Sequence, residues 1–138
     1  MKAEQVVTLV DSNVIIDVLS KNPVWAEWSE KNLREATDGD EVAINPIIYA
    51  EISSGFATIA DLDQDLSPVT FRRLALPYEA GFVAGRAFVE YRRRGGARTS
   101  PLPDFYVGAH AAVLGLTLLT RDARRYASYF PKLRLISP

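Results

Sequence analysis

The chain has 138 residues, 48% of them hydrophobic and 24% charged, values that suit one domain over residues 1–138 with a sizeable core and argue against disorder. It contains no cysteine, which excludes a disulfide scaffold, a thiolate metal site and a cysteine nucleophile. The net charge of −1 conceals a division: residues 1–65 carry 4 basic and 13 acidic side chains, and residues 66–138 carry 12 basic, 11 of them Arg, and 4 acidic. The second half therefore offers either a solvated surface complementary to the first or a basic face for a polyanion.

Along the chain, Lys2, Glu4 and an early Asp11 interrupt what would be a signal-peptide core. Val6–Val10 is a β-branched run that reads as a buried strand ending at Asp11. Asn13–Ser20 has helical spacing, closed by Lys21-Asn22-Pro23, and Trp25–Thr37 is an amphipathic helix stopped near Gly39. Glu41–Ile44 is a second strand. Asn45 then supplies an N-cap, and Pro46 a first helical residue, for the helix in NPIIYAEISSG. Thr58–Asp65 is a short helix, Val69–Phe71 a third strand, and Tyr78–Arg94 a long helix ended by Gly95-Gly96. Pro101 and Pro103 lead to Asp104, which starts a helix running to about Gly115. Leu116–Thr120 is a strand, Asp122–Tyr129 a helix and Leu133–Ile136 a fifth strand. The apolar run Ala111–Leu119 is too short to span a bilayer, so a soluble, cytoplasmic protein with no membrane partner is expected. Short strands alternating with helices predict an α/β/α sandwich, with a central parallel sheet of about five strands.

In such a sheet, ligands bind beyond the carboxyl ends of the strands. Asp11 is the first residue past strand one, and Asp122 follows the fourth strand by two. Glu51 falls about 40° from Ile47 on a helical wheel, inside the apolar stripe of its own helix. Asp104 shares its helix face with the small residues Gly108, Ala111, Ala112 and Gly115, which permit close packing. Four carboxylates from separate segments are thus aimed inward, where unpartnered ionised acids are prohibitively costly. No Arg lies in the apolar sectors that hold them. An all-oxygen site for Mg²⁺ or Mn²⁺ resolves the conflict, since no Cys exists and the one His, His110, faces away from the Asp104 stripe. Taken singly, Asp11, Asp104 and Asp122 are also good caps or first-turn acids. Glu51, in mid-helix, has no such role.

The segments LVDSNVIID (9–17), IYAE (48–51), PDFYVGAHA (103–111) and LTRD (119–122) resemble the four acidic motifs of PIN-domain ribonucleases. The closest kind is the VapC-type toxin of bacterial and archaeal toxin–antitoxin pairs, and the resemblance covers nearly the whole chain. It implies a PIN-like fold and a metal-dependent endoribonuclease, the toxin of a type II system that inhibits translation. By the same resemblance, Asp11, Glu51, Asp104 and Asp122 are catalytic ligands of Mg²⁺ or Mn²⁺, with Ser12, Asn13 and Thr120 supporting them. It further implies hydrolysis by metal-activated water to a 3′-OH and a 5′-phosphate, a cognate VapB-like antitoxin and a homodimer.

Arg92, Arg93, Arg94 and Arg98 surround Gly95-Gly96 shortly before Asp104. Contact with an RNA backbone is expected there, because glycine permits close phosphate approach; the bland alternative is a positive helix C-terminus complementing its dipole. Arg121, with Arg124 and Arg125, flanks Asp122 and extends that track. Asp17 lies one helical turn past Asn13 and reads as a structural acid. His110 faces away from the Asp104 stripe and reads as a packing or surface residue. Trp25 and Trp28 share a helix face and read as core or, by the resemblance, as neighbours of an antitoxin groove. Tyr91 and Tyr126 are candidates for base stacking. A phosphoacceptor receiver domain would show adjacent acids after strand one, and a haloacid-dehalogenase-like phosphatase two Asp one residue apart; Asp11-Ser12-Asn13 has neither. The remaining alternative is a non-catalytic module that binds metal, nucleic acid or a protein partner.

Overall fold

The structure, a computed structural model, describes residues 6–138; Lys2 and Glu4 lie outside them. Val7–Val10 (β1) sits at the centre of a five-stranded sheet, and its Thr8, Leu9 and Val10 are fully buried. It pairs in parallel with Glu41–Ile44 (β2) on one side and Thr117–Leu119 (β4) on the other, so that Leu9 stands opposite both Ala43 and Leu118. Arg72–Arg73 (β3) flanks β2, and Leu135–Ile136 (β5) flanks β4, giving the order β3-β2-β1-β4-β5 with every pairing parallel. The chain moves outward through β2 and β3, then returns to the far side of β1. This reversal makes a topological switch point, and a crevice opens beyond the carboxyl ends of β1 and β4.

Ser12–Ser20 (α1) and Ala26–Gly39 (α2) join β1 to β2, and Pro46–Ser53 (α3) and Ile59–Leu66 (α4) join β2 to β3. Tyr78–Arg93 (α5) and Pro103–Leu114 (α6) return the chain to β4, and Arg124–Tyr129 (α7) precedes β5. Right-handed crossovers in opposite directions put α1–α4 on one face and α5–α7 on the other, which is the predicted α/β/α sandwich. Packing joins α1 to α2 and α3, α5 to α6, and α6 to α7. Local chemistry sets the ends: Asn45 Oδ1 accepts the Ile48 N–H at 2.9 Å ahead of Pro46, and Gly115 closes α6 in the left-handed region at φ 66°. Among the described residues, no helix is long and apolar enough to cross a membrane.

The third strand departs from expectation. Val69 and Phe71 are tied into the turn after α4 by Val69 N–H to Leu66 O (3.2 Å) and Phe71 N–H to Val69 O (3.1 Å), and β3 falls on Arg72–Arg73 instead. Both arginines are exposed at a sheet edge, where charge discourages further pairing. An edge strand held by backbone bonds and the ion pairs Arg72–Glu41 (3.4 Å) and Arg73–Asp63 (2.7 Å) leaves no apolar pattern to read. The last helix also begins at Arg124 rather than Asp122, which leaves Asp122 on the loop beyond β4.

Candidate active site

Asp11 is the first residue past the buried end of β1, fixed by its N–H to Leu119 O at 2.9 Å. Its backbone is extended and it caps α1, with Oδ1 accepting the Ser12 N–H at 2.8 Å. Oδ2 accepts from the Tyr126 hydroxyl at 2.8 Å, the Thr120 hydroxyl at 2.9 Å and, more weakly, Asn13 Nδ2 at 3.4 Å. The side chain is 3% exposed. The capping role and the inward role thus coexist in one residue.

Thr120, at the end of β4, is the hub of this network. While donating to Asp11, its hydroxyl accepts from Asn13 Nδ2 at 3.2 Å and from the Asp122 N–H at 3.1 Å. Asn13 is oriented by its Oδ1, which accepts the Arg121 N–H at 3.2 Å. The Ser12 hydroxyl donates to Glu51 Oε1 at 3.1 Å. The three residues expected to support the acids therefore touch them directly.

Glu51 rides on α3, whose Ile48 and Ile52 are buried, and is itself half-buried at the site. The cap of that helix is tied to α6. Because Asn45 Oδ1 faces the Ile48 N–H, its amide nitrogen must point to His110 Nδ1, 3.0 Å away. An accepting Nδ1 leaves the ring proton on Nε2, which is buried with no hydrogen-bond partner among the described residues. Burial holds the His110 pKa below its usual range. His110 is a packing residue, and it links the helix of Glu51 to the helix of Asp104.

Asp104 is in the first turn of α6 behind Pro103. A Cβ at Gly108 would lie 2.5 Å from Phe130 Cε2 and 3.1 Å from Tyr126 Cδ1, so only glycine lets α7 seat this closely on α6. That seating carries Tyr126, 1% exposed, into the acid cluster, where its hydroxyl also lies 3.4 Å from Asp104 Oδ1. Asp104 Oδ2 meets Arg125 Nη1 at 3.3 Å. Along each helix no Arg shares a sector with these acids, as expected, but Arg125 of α7 reaches Asp104 of α6 from a neighbouring helix. Asp122 is exposed rather than inward, with Oδ1 accepting the Arg124 N–H at 3.4 Å.

The carboxylates act on one another. Burial, and secondarily the charge of Asp104, raises the Asp11 pKa. Burial, then Asp11 and Asp104, raises that of Glu51. Burial raises that of Asp104, and Asp122 adds to the effect against the opposing pull of Arg125. Tyr126 is pushed well above its ordinary value by burial and then by the charges of Asp11 and Asp104. A hard divalent cation suits this donor set, which is all oxygen and electrostatically overloaded. Among the described residues, however, no three acid or His side chains are already drawn into one ligating group. The Tyr126 hydroxyl and the Arg125 guanidinium stand among them.

The basic residues divide. Arg121 forks onto buried Asp17 at 2.8 and 3.0 Å, where Ser29 Oγ also donates at 2.8 Å, and lies 5.6 Å from the Trp25 ring centroid. It is a structural strut, not a side chain free beside Asp122. Arg92 bonds the carbonyls of Gly96 (3.4 Å) and Arg98 (2.8 Å), and Arg93 pairs with Glu90 at 3.3 Å. Arg94 pairs with Glu90 at 3.1 Å, reaches Ser128 Oγ at 2.7 Å and lies over Tyr129, 4.5 Å from the ring centroid. Arg98 is exposed. Gly96 is required by the Tyr91 ring, which a Cβ would meet at 2.3 Å. Tyr91 braces the loop by accepting the Arg98 N–H at 3.2 Å, so neither Tyr91 nor Tyr126 is placed as a base-stacking surface.

Comparison with curated protein sequences finds no match. Comparison with solved structures finds the same fold over nearly the whole chain. The VapBC2 complex from Rickettsia felis, bound to a promoter DNA fragment, matches with a TM-score of 0.72 at 20% identity, over 96% of this chain and 98% of that one. VapBC-1 from nontypeable Haemophilus influenzae matches at 0.70 and 17% identity, over 95% and 97%. FitAcB from Neisseria gonorrhoeae matches at 0.68 and 20% identity, over 94% and 96%. A family model for the PIN domain matches residues 8–130. With its acids at the switch point of this sheet, the chain belongs to the PIN domain family.

Proposed function

We propose that this chain is an Mg²⁺- or Mn²⁺-dependent endoribonuclease, the toxin of a toxin–antitoxin pair, with a VapB-like antitoxin as its partner. The observation that carries this reading is the gathering of Asp11, Glu51 and Asp104, each driven toward its protonated form chiefly by burial, in a PIN-family chain. Structural likeness to VapBC and FitAB complexes supports the partner.

When bound, a divalent cation supplies positive charge to the scissile phosphate and makes an attacking water more acidic. Asp11, Glu51, Asp104 and Asp122 are the residues that would hold it. Ser12, Asn13 and Thr120 orient Asp11 and Glu51 through the bonds described above, which limits their freedom to turn away. Arg92, Arg93, Arg94 and Arg98, together with Arg124 and Arg125, form the basic rim for the RNA backbone. Arg121 is left out of that rim, because its guanidinium is occupied by Asp17.

The test is the purified chain on structured RNA with Mg²⁺, Mn²⁺ or EDTA, alongside Asp11→Asn and Glu51→Gln. Cleavage should require metal and be lost in both variants. If the variants cut as the parent does, the site assignment is wrong; binding without cleavage on any RNA would favour the non-catalytic module.

A further inference from the structure

Beside the acids lies an open cleft of about 550 Å³, lined by Asp104, Asp122, Arg124, Arg125, Ser128 and Tyr129. Its walls mix two carboxylates with two guanidinium groups, so its charge depends on whether the acids are neutralised. Arg125 meets Asp104 through a single contact of 3.3 Å, with the two side chains 45% and 36% exposed. An exposed, one-point ion pair of this kind is weak. Its neighbour Arg121 makes the opposite kind of contact, a two-point fork onto an Asp that is 1% exposed.

We propose that Arg125 is an exchange residue, paired with Asp104 while the acids carry no cation and with an RNA phosphate in this cleft once they do. The inference rests on the nuclease reading above. A divalent ion competes for Asp104 with twice the charge of a guanidinium and without its long flexible stem. Once a cation neutralises Asp104 and Asp122, the remaining fixed charge of the cleft is Arg124 and Arg125, and a planar fork matches phosphate geometry. Arg125 is then a positioning residue for the nucleotide next to the one being cut.

Two binding measurements on the full chain test the exchange. Arg125→Gln and Arg124→Gln are compared with the parent, because both remove one exposed charge from the same helix and only the first removes the Asp104 contact. Mn²⁺ titration by calorimetry without RNA should show Arg125→Gln binding about three- to fivefold more tightly than Arg124→Gln, the size of an exposed ion pair. Binding of a random-sequence RNA oligonucleotide should be read in Ca²⁺ and in EDTA at several salt concentrations. Arg125→Gln should lower the salt slope by about one in Ca²⁺ and leave it unchanged in EDTA. If Arg125→Gln matches Arg124→Gln in Mn²⁺ affinity, or loses the same slope with and without the cation, the exchange is overturned while the nuclease reading stands. A parent that binds neither Mn²⁺ nor RNA overturns both.

Discussion

Tyr126 donates its hydroxyl to Asp11 Oδ2 at 2.8 Å across 115 positions of sequence, and so joins the last helix to the end of the first strand. The ring is 1% exposed and α6 lies directly behind it at Gly108, so the hydroxyl is held between Asp11 and the more distant Asp104 Oδ1 at 3.4 Å. Tyr126→Phe keeps the ring and removes the bond. In EDTA at neutral pH it should cost about 1.5–3 kcal/mol in denaturant unfolding, the range of a hydrogen bond to a charged group. Unchanged stability would show that the hydroxyl does not hold Asp11.

Gly108→Ala asks whether the seating of α7 is as tight as the geometry implies. In an ordinary helix the change gains about 1 kcal/mol from propensity. Here the new methyl meets the Phe130 ring at 2.5 Å, and overpacking costs about 1–3 kcal/mol. The second effect wins, so the variant should unfold at lower denaturant than the parent and lose cleavage as Tyr126 is displaced from Asp11. A melting temperature at or above the parent's would mean that α7 yields freely.

How much of this was legible before the structure depends on whether a residue's role is local. Asp11 and Glu51 were legible because each breaks a local pattern, one by ending a buried strand and the other by interrupting an apolar stripe. Asn45 was legible as a cap because capping is decided within three residues. Tyr126 was not, since an aromatic at a buried helical position looks the same whether its hydroxyl meets solvent or a carboxylate. Arg121 and Arg125 illustrate the same limit in opposite directions. Both sit near Asp122 in sequence, yet one turns back to Asp17 and the other reaches Asp104 on a different helix. The third strand escaped because Arg72 and Arg73 bring backbone and charged contacts to the sheet edge, and no apolar side chain.

His110 is the only histidine in the chain, which makes its titration separable from all others. Its neutral form is favoured by burial, so its folded pKa lies below the unfolded value of about 6.5. The unfolded state then binds the extra proton first. Stability contributed by neutral His110 is present above about pH 6.5 and is lost as pH falls toward the folded pKa. His110→Gln keeps an acceptor for Asn45 without a titrating group. The stability difference between parent and variant, measured by denaturation at pH 7.5 and 5.5, should shift against the parent at the lower pH. A difference independent of pH would contradict the buried neutral imidazole.

The acid cluster has the opposite sign, and Glu51 isolates it. The folded pKa of Glu51 is raised, first by burial and then by Asp11 and Asp104, so the native state holds its proton longer than the unfolded chain does. That contribution is present in full below the unfolded value of about 4.3 and is lost as pH rises through the folded pKa. In EDTA at pH 7, the ionised side chain is therefore a burden on a helix whose buried face is otherwise Ile48 and Ile52. Glu51→Leu removes the burden and gives up only the bond from Ser12 Oγ, 3.1 Å away. The variant should fold as stably as the parent or better in EDTA at pH 7, gain less stability from added Mn²⁺, and fail to cleave RNA. Because the parent's handicap vanishes below about pH 4, the two unfolding curves should converge there. A Glu51→Leu protein that melts well below the parent in EDTA at neutral pH would place Glu51 among the groups that hold the fold together.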